Sequence, residues 1–372
     1  ICQGEQVTLL WETFQNENKI HINFAHQTFE WSNQAPKKAA VHVVIIGLWC
    51  ENLKQKRLYK YPNMQGNNEK EIVESINPYL GTFRYQFLKR RTEPLCNVQP
   101  MVYGSKATDG GGLFLSSSEK IELIKENPKL EKYVKRFMGS SEYIKDEERH
   151  CLWLKDYIPS EIANSKFIQS KLEIVRKFRE NSKKTSTRSL AETPYLFGEE
   201  RQPTKNYLLI PRHSSEKREY VPTGYFSANI IVGDSAFCIP DANEYTFGVF
   251  NSKMHMVWMK YTCGRIKSDF RYSNTVVYNN FPWPDKPSKA KVNEVTEAVK
   301  SLLKIRGKLE KESSPTDIYK SNSMPKSLLD AHKKISKAVD KCYTNKDFKN
   351  DVERVEFLFD KYSELVKKEE KE

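Results

Sequence analysis

Residues 41–47 read VHVVIIG, a near-continuous apolar run that constrains the fold more than any other short stretch of the chain. Such a run is typical of a strand buried on both faces of a sheet. Residues 20–31 alternate apolar and polar side chains and predict a second strand, and residues 3–16 predict a helix. Together they indicate an α/β layer, with the polar loop SNQAPKKA (32–39) between the strands. Residues 1–48 are too few to complete such a layer, so we expect its other strands upstream of Ile1.

The middle of the chain mixes short strands with isolated helices. Residues 51–75 are charged and weakly periodic, and we interpret them as a linker. The turn Asp109–Gly112 then lies between two short apolar stretches, like a hairpin connection. Three strand-like runs follow in residues 204–240, and their prolines (Pro211, Pro222 and Pro240) favour edge or bulged strands over central ones.

The last part of the chain has a helical pattern. Residues 281–287, FPWPDKP, form a proline-rich stop. Beyond it, residues 291–372 are poor in glycine and contain three amphipathic stretches. A helical hairpin or bundle is the expected structure.

The composition indicates a soluble globular protein with a polyanionic partner. The 372 residues carry a formal net charge of +13, and 19 Tyr, 19 Phe and 6 Trp offer flat rings for nucleobases. An anionic membrane would also attract this charge, but the sequence has no apolar run of about 18 residues. Seven cysteines are scattered singly and never form a CxxC pair, which indicates a reduced, cytoplasmic protein without a disulfide framework or a structural zinc site.

Residues 163–180 predict a helix with one strongly basic face. Between Lys166 and Arg188 eight Lys or Arg stand against two Glu, whereas a solvated face usually carries both signs. This imbalance favours phosphate contact. We predict that role for Lys183, Lys184 and Arg188, next to the hydroxyl groups of residues 185–187.

Residues 247–284 combine an apolar helix with a basic, aromatic segment. Phe250, Met254, Val257 and Trp258 recur at helical spacing and predict one helix over 247–261, ended by Gly264. The next sixteen residues gather side chains that pair with base edges and phosphates: Arg265, Lys267, Arg271, Tyr272, Asn274, Asn279 and Asn280. From the local pattern alone, the segment is either a nucleic-acid contact or a solvated loop.

No motif of this sequence meets the requirements of an active site. There is no GxGxxG or GxxxxGK[ST] for a nucleotide, no HExxH for a metal and no GxSxG for a nucleophile. His150 and Cys151 are adjacent, but the following CLWL pattern predicts a buried strand. The acids at Asp146, Glu148 and Glu216 lack the spacing of a metal-dependent nuclease.

Several separated segments resemble the C-terminal part of the MmeI-like family, single-chain type II restriction-modification enzymes that contain an adenine-specific DNA methyltransferase. They are ICQGEQV (1–7), FEWSNQAPKKAAVHVVIIG (29–47), INPYL (76–80), YGSKATDGGGLFLS (103–116), YLLIPRHSSEKREYVP (207–222), residues 247–284, MPKSLLDAH (324–332) and VERVEFLFDKY (352–362).

The resemblance implies an order of domains and a division of labour. Residues 1–50 would be the trailing strands of a Rossmann-like methyltransferase sheet, and 51–75 a linker. Residues 76–285 would be a mixed α+β target recognition domain, and 286–372 a helical C-terminal domain. The family's S-adenosylmethionine loop, catalytic motif and nuclease, with Mg if a nuclease is attached, would precede Ile1. The chain alone is then expected to be inactive, without a cofactor of its own, and to bind double-stranded DNA beside the upstream methyltransferase half.

The resemblance also implies roles for particular residues. Related methyltransferases flip the target adenine onto an aromatic ring near the end of the last strand. Here Leu48 stands where an aromatic side chain is expected, so the candidates are Trp31, Trp49 and Phe29, with packing of the core as the alternative for the tryptophans. The candidates for DNA contact are Arg265, Lys267, Arg271, Tyr272, Arg212, Ser214, Ser215, Glu216 and Arg218, with Asn279 and Asn280 as partners of adenine. An RNA-binding or scaffolding module with a basic face is the alternative function.

Overall fold

The structure is a computed structural model that describes residues 1–31, 41–62, 66–320 and 323–371. Within these ranges the helices are α1 (Glu5–Glu12), α2 (Ser117–Glu126), α3 (Ser140–Lys145), α4 (Pro159–Ala163), α5 (Lys166–Glu180), α6 (Thr185–Arg188), α7 (Glu244–Phe250), α8 (Lys253–Thr262), α9 (Lys289–Leu309), α10 (Pro315–Ile318), α11 (Lys326–Tyr343) and α12 (Asp351–Glu369). Short 3₁₀ or π turns cover Thr13–Glu17, Pro128–Tyr133, Ser189–Glu192 and Asn274–Tyr278.

The strands form four small sheets in the described part of the chain. They are β1 (His21–Trp31), β2 (Val41–Trp49), β3 (Lys56–Lys60), β4 (Glu69–Val73), β5 (Val102–Tyr103), β6 (Phe114–Leu115), β7 (Val134–Met138), β8 (His150–Leu152), β9 (Tyr207–Pro211), β10 (His213–Ser214), β11 (Gly224–Phe226), β12 (Ile231–Val232), β13 (Ala236–Pro240), β14 (Gly264–Ile266) and β15 (Asp269–Arg271). The sheet orders are β2-β1-β3-β4, β11-β9-β13-β5, β12-β7-β8-β6 and β10-β15-β14. The mixed fold class predicted from the sequence is confirmed.

The first sheet corrects two predictions. Among the described residues strand β2 pairs only with β1, so it is an edge strand there, and its side chains Ile45 and Trp49 are exposed. It is therefore not buried on both faces. The supposed linker 51–75 contains β3 and β4, and β3 pairs in parallel with β1. The predicted loop at residues 32–39 lies outside the described residues.

The middle sheets correct the interpretation of the prolines. Strands β9 and β13 are the two inner strands of their sheet, and Pro211 and Pro240 are their last residues. A proline at the end of a strand removes no hydrogen bond from the middle of the ladder, so it does not force the strand to the sheet edge. Asp109–Gly112 is a turn, as predicted, but its flanking strands β5 and β6 belong to different sheets and do not form a hairpin.

The predicted helix 247–261 is two helices. Helix α7 ends at Phe250, and the Ser252 hydroxyl accepts a hydrogen bond from the His255 N–H to begin α8. Serine as N-cap favours a new helix start over continuation. The predicted apolar face is nevertheless correct, since Phe250, Met254 and Trp258 are all buried.

The predicted C-terminal helices α9, α11 and α12 are present and share one hydrophobic core with α7, α8 and the first sheet. The Trp258 ring of α8 lies 5.0 Å from that of Phe359 in α12. The Phe359 ring in turn lies 5.6 Å from Tyr79, which follows the first sheet. The C-terminal helices therefore stabilise the rest of the chain directly.

Candidate nucleic-acid interface

Strands β14 and β15 form a cationic feature of the central region, which we call the cationic hairpin (residues 264–271). Its register pairs Gly264 with Arg271 and Ile266 with Asp269, so Lys267 and Ser268 make the turn. Lys267 has φ 56°, in the left-handed region, and its side chain is exposed. Arg271 is also exposed, and across the described ranges its guanidinium has no ion-pair or hydrogen-bond partner. Both groups are free to meet a ligand.

Arg265 has a structural role in the hairpin. Its guanidinium lies 3.8 Å from the Phe270 ring centroid and donates hydrogen bonds to the carbonyls of Ser268 (2.9 Å) and Lys260 (3.0 Å). The Glu216 carboxylate is 3.8 Å away. Burial lowers the pKa of Arg265, and these contacts compensate for its lost hydration. The side chain is therefore anchored and fixes the turn that presents Lys267.

Residues 212–218 pack beside the hairpin through β10, in which His213 pairs with Arg271. Arg212 holds its guanidinium 5.3 Å from the Tyr103 ring centroid, and its buried Nε has no hydrogen-bond partner within the described residues. Arg218 donates to the Ser214 hydroxyl at 3.3 Å. Burial and the neighbouring Arg212 and Arg271 lower the pKa of His213. The loop therefore adds positive charge beside the hairpin.

Of the remaining candidates in this loop, Ser214 is buried, while Ser215 and Glu216 are partly buried. The Glu216 N–H donates to Asp269 at 3.4 Å, which links the loop to β15. The structure thus brings the predicted 212–218 and 265–271 groups together.

A cleft of about 470 Å³ lies between α1, the hairpin and the 212–218 loop. We call it the arginine cleft, because Arg90, Arg212, Arg265 and Arg271 line it together with a single acidic side chain, Glu5. Sequence reasoning missed Arg90, although the run Lys89-Arg90-Arg91 was a visible signal. A second cavity of similar size, lined by Lys60, Lys260 and Lys267 among others, lies on the other side of Arg265.

Three predicted DNA contacts are buried instead. Tyr272 is in the core, with its hydroxyl 2.9 Å from the His255 Nε2. The Asn279 amide donates to the Arg91 carbonyl at 2.9 Å, and the Asn280 amide donates to the carbonyls of Lys89 (2.8 Å) and Val276 (3.0 Å). These polar groups satisfy backbone groups inside the protein, which corrects their assignment as DNA contacts.

The basic side chains of helix α5 and of the residues after it also fall into a buried group and an exposed group. Lys171 and Arg179 are buried, and Arg179 donates hydrogen bonds to five backbone carbonyls of residues 107, 108, 190, 193 and 196. Phe178 of the same helix is 46% exposed. The predicted phosphate contacts Lys183, Lys184 and Arg188 are exposed, and Arg188 donates to the Ser182 carbonyl at 2.9 Å. None of the three lines either cavity.

The stacking candidates lie on the first sheet. Trp31 is 53% and Trp49 is 65% exposed, so neither packs the core. The register places them at opposite ends of the β1–β2 pair, Trp31 opposite Val41 and Trp49 opposite His21. Phe29 stacks on Tyr61 at 4.7 Å and contacts Trp31 at 6.2 Å. Trp31 and Trp49 therefore offer free ring faces at two separate places.

Comparison with known proteins identifies the family. The family model described as the MmeI target recognition domain matches residues 83–285, which is more than half of the chain. The chain belongs to the MmeI family. The MmeI C-terminal domain matches residues 287–369, and the MmeI DNA-methyltransferase domain matches residues 1–60. The resemblance found in the sequence is thereby confirmed.

Two known proteins are similar over nearly the whole chain. DNA methyltransferase A of Bacillus subtilis (strain 168) is 35% identical over 368 residues, which cover 99% of this chain and 41% of that protein. The structure of the type IIL restriction-modification enzyme MmeI in complex with DNA is 38% identical, with a TM-score of 0.93, over 99% of this chain and 49% of the other. The chain thus spans less than half the length of these relatives.

The residues of the methyltransferase match do not fit S-adenosylmethionine. A nucleotide-binding loop needs glycines whose backbone is open to the ligand, and residues 1–60 contain only Gly4 and Gly47. A Cβ atom added to Gly4 would lie 2.9 Å from the backbone of Gly264. A Cβ atom added to Gly47 would overlap the Phe24 ring. Both glycines are packed against other parts of the protein, so neither offers its backbone to the cofactor.

No group of His, Cys, Asp or Glu suited to a metal ion occurs among the residues that the structure describes. In the same ranges, no helix combines the length and the hydrophobicity that crossing a bilayer would require.

Proposed function

We propose that this chain recognises a specific sequence of double-stranded DNA for an adenine-specific, S-adenosylmethionine-dependent methyltransferase of a restriction-modification system. The observation that carries the proposal is the exposed cationic hairpin beside the arginine cleft, where Arg271 and Arg212 lack an acidic partner within the described ranges. The family membership and the DNA complex of the MmeI relative support it.

We propose two groups of DNA contacts. Lys267 is exposed at the turn of the hairpin and Arg271 is exposed on the middle strand of the three-stranded sheet β10-β15-β14, and these accessible cationic groups support base reading by the two residues. Arg212, Arg218, Lys183, Lys184 and Arg188 suit phosphates, because they flank the hairpin or lie on a separate basic surface. The remaining candidates stabilise the conformation of this surface; they are Arg265, Ser214, Ser215 and Glu216.

The methylation chemistry belongs to a part of the enzyme whose motifs this sequence does not contain. We propose that this part supplies S-adenosylmethionine binding, with Mg where a nuclease is attached, and that it docks on the first sheet. The edge strand β2 supports this docking, because Ile45, Leu48 and Trp49 are exposed there. The flipped adenine would stack on Trp31, Trp49 or Phe29, and the enzyme would act in the cytoplasm, where its DNA is.

The first test is selection of ligands from a randomised duplex pool by the purified chain, followed by salt titrations. We expect an enriched motif of several base pairs, binding that weakens steeply with salt, and weaker binding to a matched single strand. Salt-dependent binding without sequence enrichment, or a preference for RNA, would contradict the proposal and favour the RNA-binding alternative.

A matched pair of variants sharpens the selection. Arg271→Ala removes an unpartnered guanidinium from the hairpin, whereas Lys300→Ala removes an exposed amine that pairs with Glu297 on α9. We expect Arg271→Ala to relax the motif at one base pair and Lys300→Ala to leave it unchanged. Equal effects of the two variants would contradict a reading role for the hairpin.

A further inference from the structure

Residues 82–100, at the start of the match to the target recognition domain, contain neither helix nor strand. Hydrogen bonds from the end of the recognition region hold them in place. The N–H of Arg91 donates to the Thr275 carbonyl at 3.0 Å, and the N–H of Leu95 donates to the Asn279 carbonyl at 2.7 Å. The amide groups of Asn279 and Asn280 hold the carbonyls of Arg91 and Lys89. The backbone around residue 90 is therefore fixed on both sides.

The C-terminal helix α12 completes this fixation. The Arg91 guanidinium makes two parallel hydrogen bonds to the Glu369 carboxylate, both 2.6 Å, and its Nε donates to the Asn280 side-chain oxygen at 3.0 Å. A bidentate pair of this kind restrains orientation as well as distance. We call Arg91, Asn280 and Glu369 the clasp. The clasp connects α12 to the segment that borders the arginine cleft.

Arg90 lines the arginine cleft next to this clasp. Its side chain is 70% exposed, and its nearest acidic partner in the described part of the chain is Glu5, at 3.9 Å. Thr275, whose carbonyl accepts from the Arg91 N–H, lines the same cleft. The Arg91 side chain is only 16% exposed, whereas that of its neighbour Arg90 is 70% exposed, so the clasp fixes the backbone from which Arg90 extends into the cleft.

We propose that Arg90 binds a phosphate of the DNA backbone and that the clasp is the device that positions it. The inference rests on the proposed function. A phosphate is the better partner than a base edge, because base reading needs a guanidinium held in a fixed plane, and Arg90 has only the distant Glu5 beside it. The C-terminal helix then contributes to DNA binding without touching DNA.

The test is a double-mutant cycle on duplex affinity at several salt concentrations. Arg90→Ala should make the slope of log K against log salt shallower by about 0.9, the value for one phosphate contact, while Arg90→Lys should keep the slope. Glu369→Gln should weaken binding by on the order of two- to tenfold through loss of positioning. In the Arg90→Ala background, Glu369→Gln should have no further effect.

Glu364→Gln is the matched control, because Glu364 is an exposed carboxylate of the same helix that pairs with Lys361 and does not contact the clasp. Equal effects of Glu364→Gln and Glu369→Gln, or an additive cycle, would overturn the positioning role. An unchanged salt slope in Arg90→Ala, with normal binding by the unmodified chain, would overturn the phosphate contact alone. Failure of the unmodified chain to bind duplex DNA would overturn the proposed function as well.

Discussion

The two halves of the 264–280 segment both contain polar and aromatic residues, but they have opposite environments. Residues 264–271 form the cationic hairpin, in which Lys267 and Arg271 are exposed. Residues 272–280 are largely buried, and Tyr272 and Asn280 use their polar groups inside the protein. Polar, aromatic composition therefore does not identify a DNA contact. The deciding property is whether a side chain's hydrogen-bonding groups are already satisfied.

The largest expected effect is on the buried half. Asn280→Ala removes donors from the carbonyls of Lys89 and Val276 and removes the acceptor for Arg91. Buried polar groups left unpaired cost about 1–3 kcal/mol each, so we expect a loss of unfolding free energy on the order of 3 kcal/mol. Urea unfolding measures it. Lys267→Ala in the exposed half should change stability by less than about 0.5 kcal/mol, and equal losses in the two variants would erase the contrast.

The next effect concerns the exposed half. Arg271→Ala should cost roughly 1–3 kcal/mol of binding free energy at one base pair of the selected site, with little change at the others. Binding to a panel of single-base-pair variants measures the loss, and the urea midpoint shows that the fold is intact. A uniform loss over the whole panel would assign Arg271 to a phosphate instead.

A third prediction concerns pH and the buried half. Burial lowers the pKa of His255 from 6.5 to about 3, and its Nε2 contacts the Tyr272 hydroxyl. The unfolded chain takes up a proton below pH 6.5 while the folded chain keeps His255 neutral. The stabilising contribution of neutral His255 to the unfolding free energy is therefore complete above pH 6.5. As the pH falls from 6.5 towards 3, the unfolding free energy decreases by about 1.4 kcal/mol per pH unit.

Unfolding at pH 7.5, 6.0 and 5.0 measures this dependence. His255→Gln should reduce the pH dependence of the unfolding free energy by the equivalent of about one bound proton. His332, whose pKa burial also lowers to about 3, should still contribute its own pH dependence. Identical pH profiles of the variant and the unmodified chain would show that His255 accepts a proton in the folded state.

The smallest expected effect is at the basic surface after α5. Lys184→Ala should weaken binding to all duplexes by less than about 1 kcal/mol and make the salt slope shallower by about 0.9. Salt titration on the selected site and on a scrambled duplex measures both. If the loss occurred on the selected site alone, Lys184 would belong with the hairpin in reading sequence.

The sequence predicted much of the secondary structure because apolar periodicity reports burial directly. The helices around Trp258 and Phe359 and the strand at His150–Leu152 follow from it. The burial of polar side chains could not be predicted in this way. Asn280, for example, is buried because it forms a hydrogen bond to a residue almost two hundred positions away in sequence. No local pattern contains that pairing.

Strand β2 shows the same limit for apolar side chains. The run VHVVIIG predicts burial on both faces, yet within the ranges that the structure describes the strand has a neighbour on one side only. Pro211 shows the limit for the backbone, since its position at the end of an inner strand depends on where the partner strand stops. Sequence patterns indicate the environment that a residue favours, whereas its neighbours in the folded structure determine which groups it contacts.

The close approach of Gly4 to Gly264 has a consequence for the position of the cationic hairpin. Gly4, with φ 63°, begins α1 in the methyltransferase match, and an added Cβ there would come within 2.9 Å of the Gly264 backbone, where the cationic hairpin begins. The two regions therefore meet main chain to main chain, with no side chain as a spacer. This contact therefore fixes the distance between α1 and the start of the cationic hairpin, whichever side chains the hairpin carries beyond Gly264.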